Sequence, residues 1–593
     1  MKHYRVLVSL FVIFQLYWET SAKQEVHVPD DVSLLIHPHI IKSAQKLKKI
    51  LSSSPHSNRK TILDPAEGCK ICEEVTEDII SLRRSNATKD VMTDYLIHLC
   101  GLYTDWGNDG CTGRVNIEMD TILYIIDRKE DLKPARFCAI YYQAYGCEDP
   151  EADDWSIPIP PYSGPRPTSA SIEKGEALRI LHITDVHMDP LYVPGTVVNC
   201  PDPLCCESGV PANIEDTAGY WGDYASCDMP WHTMEDMLDQ IKEKHELDYI
   251  YFTGDIVSHR TWATTIKSNT DTIKQFFTLL ETAFVNMTVF PILGNHEPHP
   301  GDYYSPESVD KNSNVSTQWL LDLAAKEWAK WLPNDTQTTL KKGGYYTVLV
   351  KPGFRIIALN SNVCYNMNLW LVYENKDTFG QLQWLVEVLT EAEKNGEKVH
   401  ILAHIPIADG DGSCVKVWSR ELRKIILRFS DTITAQFNGH THYDEFKLFF
   451  ENDTTKEEVK AVAYNGASFT TIWGGNSDYR IYDVDSTNLT VTDYSEYTFN
   501  LTDANLDSKT SPNWYQLYSF KDAYGLPDLT FKSLGNLYKQ MTSNDSDNSL
   551  VKKYYKYRYR DSDVFKEEGC NSQCKKNLVC VIGAGDTSES ILC

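Results

Sequence analysis

A central α/β domain of two mixed β-sheets layered with helices, preceded by an all-α segment and followed by a helical, disulfide-rich one, is the fold class that this 593-residue sequence predicts. Three observations carry that expectation. Residues 69–147 place apolar side chains at helical spacing between six cysteines. From 177 to 498, short β-branched runs alternate with amphipathic stretches. After 499 the pattern turns helical and aromatic-rich, and it closes on Cys570, Cys574, Cys580 and Cys593. A chain this long exceeds one hydrophobic core, so roughly two to four domains are expected.

In chain order, residues 1–22 read as a secretory signal. Lys2, His3 and Arg5 lead an apolar run from Val6 to Trp18, and Thr20-Ser21-Ala22 offers small residues for cleavage. No later apolar stretch reaches the about 20 residues of a membrane span. Residues 23–64 have no core pattern and read as a spacer or pro-segment. Within 65–150, Val75, Ile79 and Leu82 share one helical face, as do Val91, Tyr95, Leu96 and Leu99, and Met119, Ile122, Leu123 and Ile126. So small a core invites disulfide bracing. Pro158, Pro160, Pro161, Pro165 and Pro167 make 151–176 an extended, semi-rigid linker. The central domain, 177–498, should hold helices at 234–244 and 381–394. A hairpin of 345–350 with 354–360 around Pro352-Gly353 is expected, and strands near 458–465, 479–485 and 489–498. In 499–593 the most basic run, 551–560, reads either as a helix whose Lys and Arg stems cover a Tyr-rich packing face or as a contact for anionic lipid.

Five of the β-branched runs stop at a polar island. LRILHITDVH ends at Asp185-Val186-His187, DYIYFTGD at Gly254-Asp255, and TVFPILGNHE at Gly294-Asn295-His296-Glu297. KVHILAHIP carries His404, and TITAQFNGHTH ends at Gly439-His440-Thr441-His442. Strand ends can converge on one rim, where open α/β sheets bind ligands. Carboxylate, amide and imidazole donors together suit zinc, manganese or iron better than calcium. Each island alone is weak, since a lone His is more often structural and Gly-Asp recurs by chance.

In order, D-x-H, G-D, G-N-H-E, a lone His and G-H-x-H resemble the signature of calcineurin-like metallophosphoesterases. The resemblance implies one ion on Asp185, His187, Asp255 and His442, and a second on Asp255, Asn295, His404 and His440, with Asp255 bridging. Two cations about 3.5–4 Å apart polarise a phosphoryl oxygen and arm a bridging hydroxide for in-line attack. His296 is the first candidate to protonate the leaving alkoxide and His259 the second, with Glu297 as an outer partner that orients His296.

The cysteines from Cys69 to Cys147 resemble the saposin B-type domain. That implies the pairs Cys69–Cys147, Cys72–Cys138 and Cys100–Cys111, and helices that open an apolar face to lipid. The plainer alternative is a stapled bundle with every apolar stripe buried. With the proline linker, the Cys-rich tail and the stretches HITDVHMDPLY, CCESG, GQLQWL, FNGHTHYDEF and YGLPD, residues 65–593 resemble the acid sphingomyelinase family. This implies further pairs Cys200–Cys205, Cys206–Cys227, Cys364–Cys414, Cys570–Cys574 and Cys580–Cys593. It also implies two zinc ions per chain, a monomer that is secreted or lysosomal, and hydrolysis of sphingomyelin in membranes or lipoprotein particles to ceramide and phosphocholine. The family's catalytic histidines fall on His259 and His296. The loop Tyr365-Asn366-Met367-Asn368 departs by lacking the acidic residue that the vertebrate enzymes carry nearby.

Sixteen cysteines, and the N-x-S/T sequons at Asn86, Asn286, Asn314, Asn334, Asn452, Asn488, Asn500 and Asn544, fit glycosylation in an oxidising secretory route. A net charge of −26 argues against a nucleic-acid partner and repels anionic membrane at neutral pH. Acidic surroundings relieve that repulsion as carboxylates and histidines take up protons. Two other functions fit parts of the pattern: a phosphodiesterase of nucleotides or other soluble phosphodiesters, and a lipid-binding protein with a vestigial metal site. The intact ligand set argues against the second.

Overall fold

The computed structural model describes residues 65–104, 106–151, 153–162, 177–543 and 549–593. The expected signal and spacer, Pro165 and Pro167 of the linker, and the sequon at Asn544 lie outside them.

The described residues open on helices α1 (Pro65–Arg84), α2 (Lys89–Tyr103), α3 (Asn108–Arg128) and α4 (Pro134–Tyr141). Thr88 Oγ1 accepts the Val91 amide to start α2, and Pro134 starts α4 where no helical N–H is needed. Cys69–Cys147 and Cys72–Cys138 tie α1 to the end of the unit, and Cys100–Cys111 joins α2 to α3. Val75, Ile79, Leu96, Met119 and Ile122 are buried in a core that runs on into the central domain. Among the described residues of this segment no large apolar side chain is strongly exposed; Leu191, Val193, Val210 and Ile214, on the loops after the first strand, are.

The central domain is two mixed six-stranded sheets. The strands are β1 (Ala177–Ile183), β2 (Tyr249–Phe252), β3 (Thr288–Pro291), β4 (Tyr346–Lys351), β5 (Phe354–Ala358) and β6 (Lys398–Leu402). They continue with β7 (Ile433–Asn438), β8 (Glu445–Phe450), β9 (Val459–Asn465), β10 (Asp478–Asp485), β11 (Val491–Thr498) and β12 (Tyr515–Ser519). One sheet runs β12-β11-β10-β1-β2-β3, the other β4-β5-β6-β7-β9-β8. β1, β2 and β3 are parallel, as are β5, β6, β7 and β9. These are the strands that read as unbroken apolar runs, because both faces are covered. Tyr251 of β2 donates to His400 Nδ1 of β6 at 2.8 Å, and Tyr251 packs on Phe437 of β7 at 5.0 Å. The two sheets therefore meet face to face.

Helices Trp231–Lys244 and Gln381–Lys394 and the β4–β5 hairpin lie where the sequence placed them. The region after 499 is not wholly helical. Tyr515–Ser519 pairs with β11 as the edge of the first sheet. The basic run forms helix Ser549–Arg558 and the turn after it; Arg558 and Arg560 are buried, whereas Lys552 and Lys556 are exposed. Arg558 Nη2 lies 2.7 Å from Glu445 Oε1, and the fully buried Arg560 donates to the carbonyls of Asn476 and His442. Val551, Tyr554 and Arg558 form the packing face of that helix. The remaining disulfides are Cys200–Cys205, Cys206–Cys227, Cys364–Cys414, Cys570–Cys574 and Cys580–Cys593.

Candidate metal centre

All five polar islands sit just past the carboxyl ends of parallel strands. Asp185 and His187 follow β1, Asp255 follows β2, Asn295 follows β3, His404 follows β6, and His440 and His442 follow β7. Three come from one sheet and two from the other, so the centre lies where the rims of the sandwich meet. The backbone there is contorted. Asp185, His187, Asp255, His440 and His442 take φ of 50°, 40°, 63°, 73° and 59°, left-handed values that cost energy in a non-glycine residue. Such outliers persist where the surroundings over-determine them, as at a binding site. The islands need glycine for a different reason, close approach: a Cβ at Gly294 would strike Asp255 Oδ1, and one at Gly439 would strike Thr184 Oγ1.

The seven side chains converge in two overlapping groups. In the first, His187 Nε2 lies 3.1 Å from His442 Nε2, 3.5 Å from Asp255 Oδ2 and 3.9 Å from Asp185 Oδ1. His442 Nε2 lies 3.3 Å from Asp185 Oδ1. In the second, His404 Nε2 lies 3.1 Å from Asp255 Oδ2 and 3.0 Å from Asn295 Oδ1, which is 2.9 Å from His440 Nδ1. Asp255 Oδ2 belongs to both.

The partners on the far side of each ring decide what these atoms are. His187 Nδ1 bonds the Val257 carbonyl at 2.9 Å, and His404 Nδ1 bonds the Thr253 carbonyl at 2.7 Å. A carbonyl only accepts, so both Nδ1 atoms carry a proton, and each ring when neutral turns a bare Nε2 lone pair inward. Asn295 Nδ2 donates to Asp302 Oδ1 at 2.8 Å, which turns Oδ1 inward as well. With the rings neutral, acceptors face acceptors in a buried space, an arrangement that a cation satisfies. Donor atoms about 2.1 Å from one ion stand roughly 3–4 Å apart, the spacing found here. The charges agree. Burial raises Asp185 to about 7, against the pull of His404. Burial lowers His404, but Asp255 and Asp185 outweigh it and lift the ring to about 9. Divalent ions would supply the positive charge that these carboxylates otherwise draw from protons.

Glu297 is fully buried, and its carboxylate accepts the amides of Gly294, Asp255 and Ile256. It meets backbone rather than the His296 ring, so it locks the second island to the third instead of steering His296. The His296 amide donates to Asp255 Oδ1 at 2.9 Å, and its ring stands 4.7 Å from His187 and 4.5 Å from His259. Burial holds His296 below the ordinary imidazole value. The His259 ring stacks on His187 at 4.0 Å and meets Trp473 at 4.8 Å. Donor atoms of His187, His259 and His442 lie within 4.8 Å of one another, as do those of His187, Asp255 and His296. Both catalytic candidates therefore border the candidate ligands.

Four supporting side chains carry no local sequence signal. Asp228 bonds His259 Nδ1 at 2.8 Å and takes the His259 amide at 2.6 Å, which fixes the ring with Nε2 as its working nitrogen. Asp302 orients Asn295. Ser413 Oγ lies 3.1 Å from His440 Nε2. Arg560 holds the His442 carbonyl at 2.5 Å. Each lies far in sequence from the site or breaks no local pattern. Among the sequons, Asn86, Asn286, Asn314, Asn334 and Asn452 are exposed, and Asn488 is half-buried. Asn500 Nδ2 donates to Asp563 Oδ2 at 3.0 Å and Asn314 Nδ2 to Asp120 Oδ2 at 2.8 Å, so in both the atom a glycan would need is engaged.

The family model for calcineurin-like phosphoesterases matches residues 178–444, and that for the acid sphingomyelin phosphodiesterase C-terminal region matches 460–593. The sphingomyelin phosphodiesterase of Homo sapiens is 34% identical over 505 residues, covering 84% of this chain and 78% of its own. Sphingomyelin phosphodiesterase 1 of Caenorhabditis elegans is 30% identical over 520 residues, covering 86% and 89%. The cyclic GMP-AMP phosphodiesterase SMPDL3A of Bos taurus is 32% identical over 420 residues, covering 68% and 87%. On these matches and this geometry, the chain belongs to the sphingomyelin phosphodiesterase family and is a phosphodiester hydrolase with a divalent-metal centre.

Proposed function

We propose that the protein hydrolyses sphingomyelin to ceramide and phosphocholine with two zinc ions, on membranes or lipoprotein particles of the secretory route or lysosome. The observation that carries this reading is the ring of inward-facing acceptors at five strand ends, in a chain whose long-range relatives are named for that reaction. Asp185, His187, Asp255 and His442 would hold one ion, and Asp255, Asn295, His404 and His440 the other. When bound, such a pair offers Lewis-acid charge to phosphoryl oxygens and makes a water nucleophilic near neutral pH.

The chain's own residues do the rest. Asn295 brings a neutral donor, which keeps net positive charge toward the phosphate. His296, against the bridging Asp255, is the group set to give a proton to the leaving alkoxide. His259, steadied by Asp228, stands beside it to stabilise charge on the phosphoryl group or to share that proton. The N-terminal helices are the part we assign to lipid, on the strength of their six-cysteine pattern, and the chain works as a monomer.

A second reading, hydrolysis of a nucleotide phosphodiester, is favoured by the activity for which the bovine relative is named. Purified protein incubated at pH 5 and pH 7 with sphingomyelin vesicles and, separately, with cyclic GMP-AMP separates the two. Phosphocholine and ceramide from the vesicles alone support the first reading. Turnover confined to the nucleotide overturns it.

A further inference from the structure

Among the polar contacts between the N-terminal helical unit and the central domain, two buried arms end beside the metal centre. The first starts at Arg114 on α3, 1% exposed although it lies on a small disulfide-braced unit. Its side chain pairs with Glu118 one turn on, and Nη2 donates to Asp302 Oδ2 at 3.4 Å. Asp302 then accepts Asn295 Nδ2 through Oδ1 at 2.8 Å and donates its own amide to the Asn295 carbonyl at 2.7 Å. The neighbouring Gly113 permits this approach, because a Cβ there would collide with the Trp262 carbonyl of the central domain.

The second arm is Gln143, just past α4 and 2% exposed. Its Nε2 donates to the carbonyls of Gly412 at 2.8 Å and Cys414 at 3.1 Å, and its Oε1 accepts the Lys416 amide at 3.0 Å. These bonds clasp the loop around Ser413, whose Oγ lies 3.1 Å from His440 Nε2. Asn295 Oδ1 and His440 Nδ1, the atoms at the two ends, are 2.9 Å apart.

We propose that Arg114 and Gln143 are positioning residues for the ion held by Asn295, His404 and His440, so that the N-terminal unit is a built part of the metal site. The proposal rests on the ligand assignment above. A charge-paired Asp302 has one fixed orientation and gives Asn295 one amide rotamer. A clasped 412–416 loop gives His440 one ring orientation. Outer partners of this kind typically change metal affinity by about 10–100-fold. Docking of the helical unit and loading of that ion are then linked, each favouring the other by the same factor. The unit would act on turnover of every substrate, soluble ones included.

The test uses the full-length chain with two variants. Arg114→Met with Glu118→Leu replaces the buried pair by apolar side chains of similar size, a change that folds often tolerate. Gln143→Leu releases the clasp. Each protein is loaded with zinc and titrated against a chromogenic chelator, and kcat and KM are measured on bis(p-nitrophenyl) phosphate. Wild type should hold two ions. In each variant one ion should weaken by about 10–100-fold while the other keeps its affinity, and kcat should fall with KM little changed and recover in excess zinc. Two ions held as tightly as in wild type by both variants overturn the inference and leave the ligand assignment standing. A wild-type chain that binds no ion overturns the assignment itself. If the double variant fails to fold, the zinc titration of Gln143→Leu decides.

Discussion

Asp255 serves both halves of the centre through one oxygen, while its other oxygen takes the His296 amide at 2.9 Å. Removing that carboxylate breaks both groups, whereas removing Asn295 empties one corner. Asp255→Ala and Asn295→Ala should each lose activity with the circular dichroism spectrum unchanged. His296→Ala should keep its metal content and slow turnover by about 10²–10⁴-fold; wild-type turnover would remove His296 from the chemistry. A residue deep between the sheets sets an acid limit. His400 accepts from Tyr251 and donates to the Leu489 carbonyl at 2.8 Å as a neutral ring, and burial pulls it down to about 4 from 6.5. The unfolded chain takes this proton first as pH falls. The stability contribution is therefore complete above pH 6.5 and lost progressively toward pH 4, about 3 kcal/mol in all. His400→Gln can keep both bonds without titrating. Urea unfolding should show its stability relative to wild type rising as pH drops from 6.5 to 4. A constant gap would mean that the ring is not held neutral.

At the scale of elements, the strands that carry the candidate ligands were legible, because a parallel strand covered on both faces reads as a β-branched apolar run that stops at a polar residue. The β4–β5 hairpin was legible from Pro352-Gly353. β12 was not, since YQLYS is short, half-exposed and set among aromatics that also suit a helix. β8 hides because the buried Lys447 interrupts its apolar run, and that charge finds the Val581 carbonyl 2.7 Å away and the carboxylates of Glu445 and Asp409 nearby. The supports of the site were illegible for the same reason. Arg114, Gln143, Asp228 and Arg560 find their partners only after docking joins segments far apart in the chain. β10 offers the sharpest case. Arg480, 1% exposed, is held at 2.5 Å by both Asp444 and Glu496, so it links β10 to β11 and to the turn before β8. Arg480→Met would strand two buried acids. It should cost about 3–5 kcal/mol in denaturant unfolding, and a loss below about 1 kcal/mol would show that the acids are neutral when paired.

Across the molecule, three parts of the chain share one task. The central sheets bring donor side chains to a rim, the N-terminal helices reach Asn295 and His440, and the C-terminal segment reaches His442 through Arg560. Such a site should stabilise the whole fold when loaded, because an ion that binds only the folded chain adds to its stability. Chelation should lower the thermal midpoint as well as abolish hydrolysis, and zinc should restore both; an unchanged midpoint would place the ion outside this network. The most direct measurement is anomalous diffraction from crystals of the active enzyme, tuned to the edge of the metal that its X-ray fluorescence identifies. Two peaks about 3.5–4 Å apart on either side of the Asp255 carboxylate are expected. Active crystals with no anomalous peak beside Asp255 would contradict the shared-ion centre.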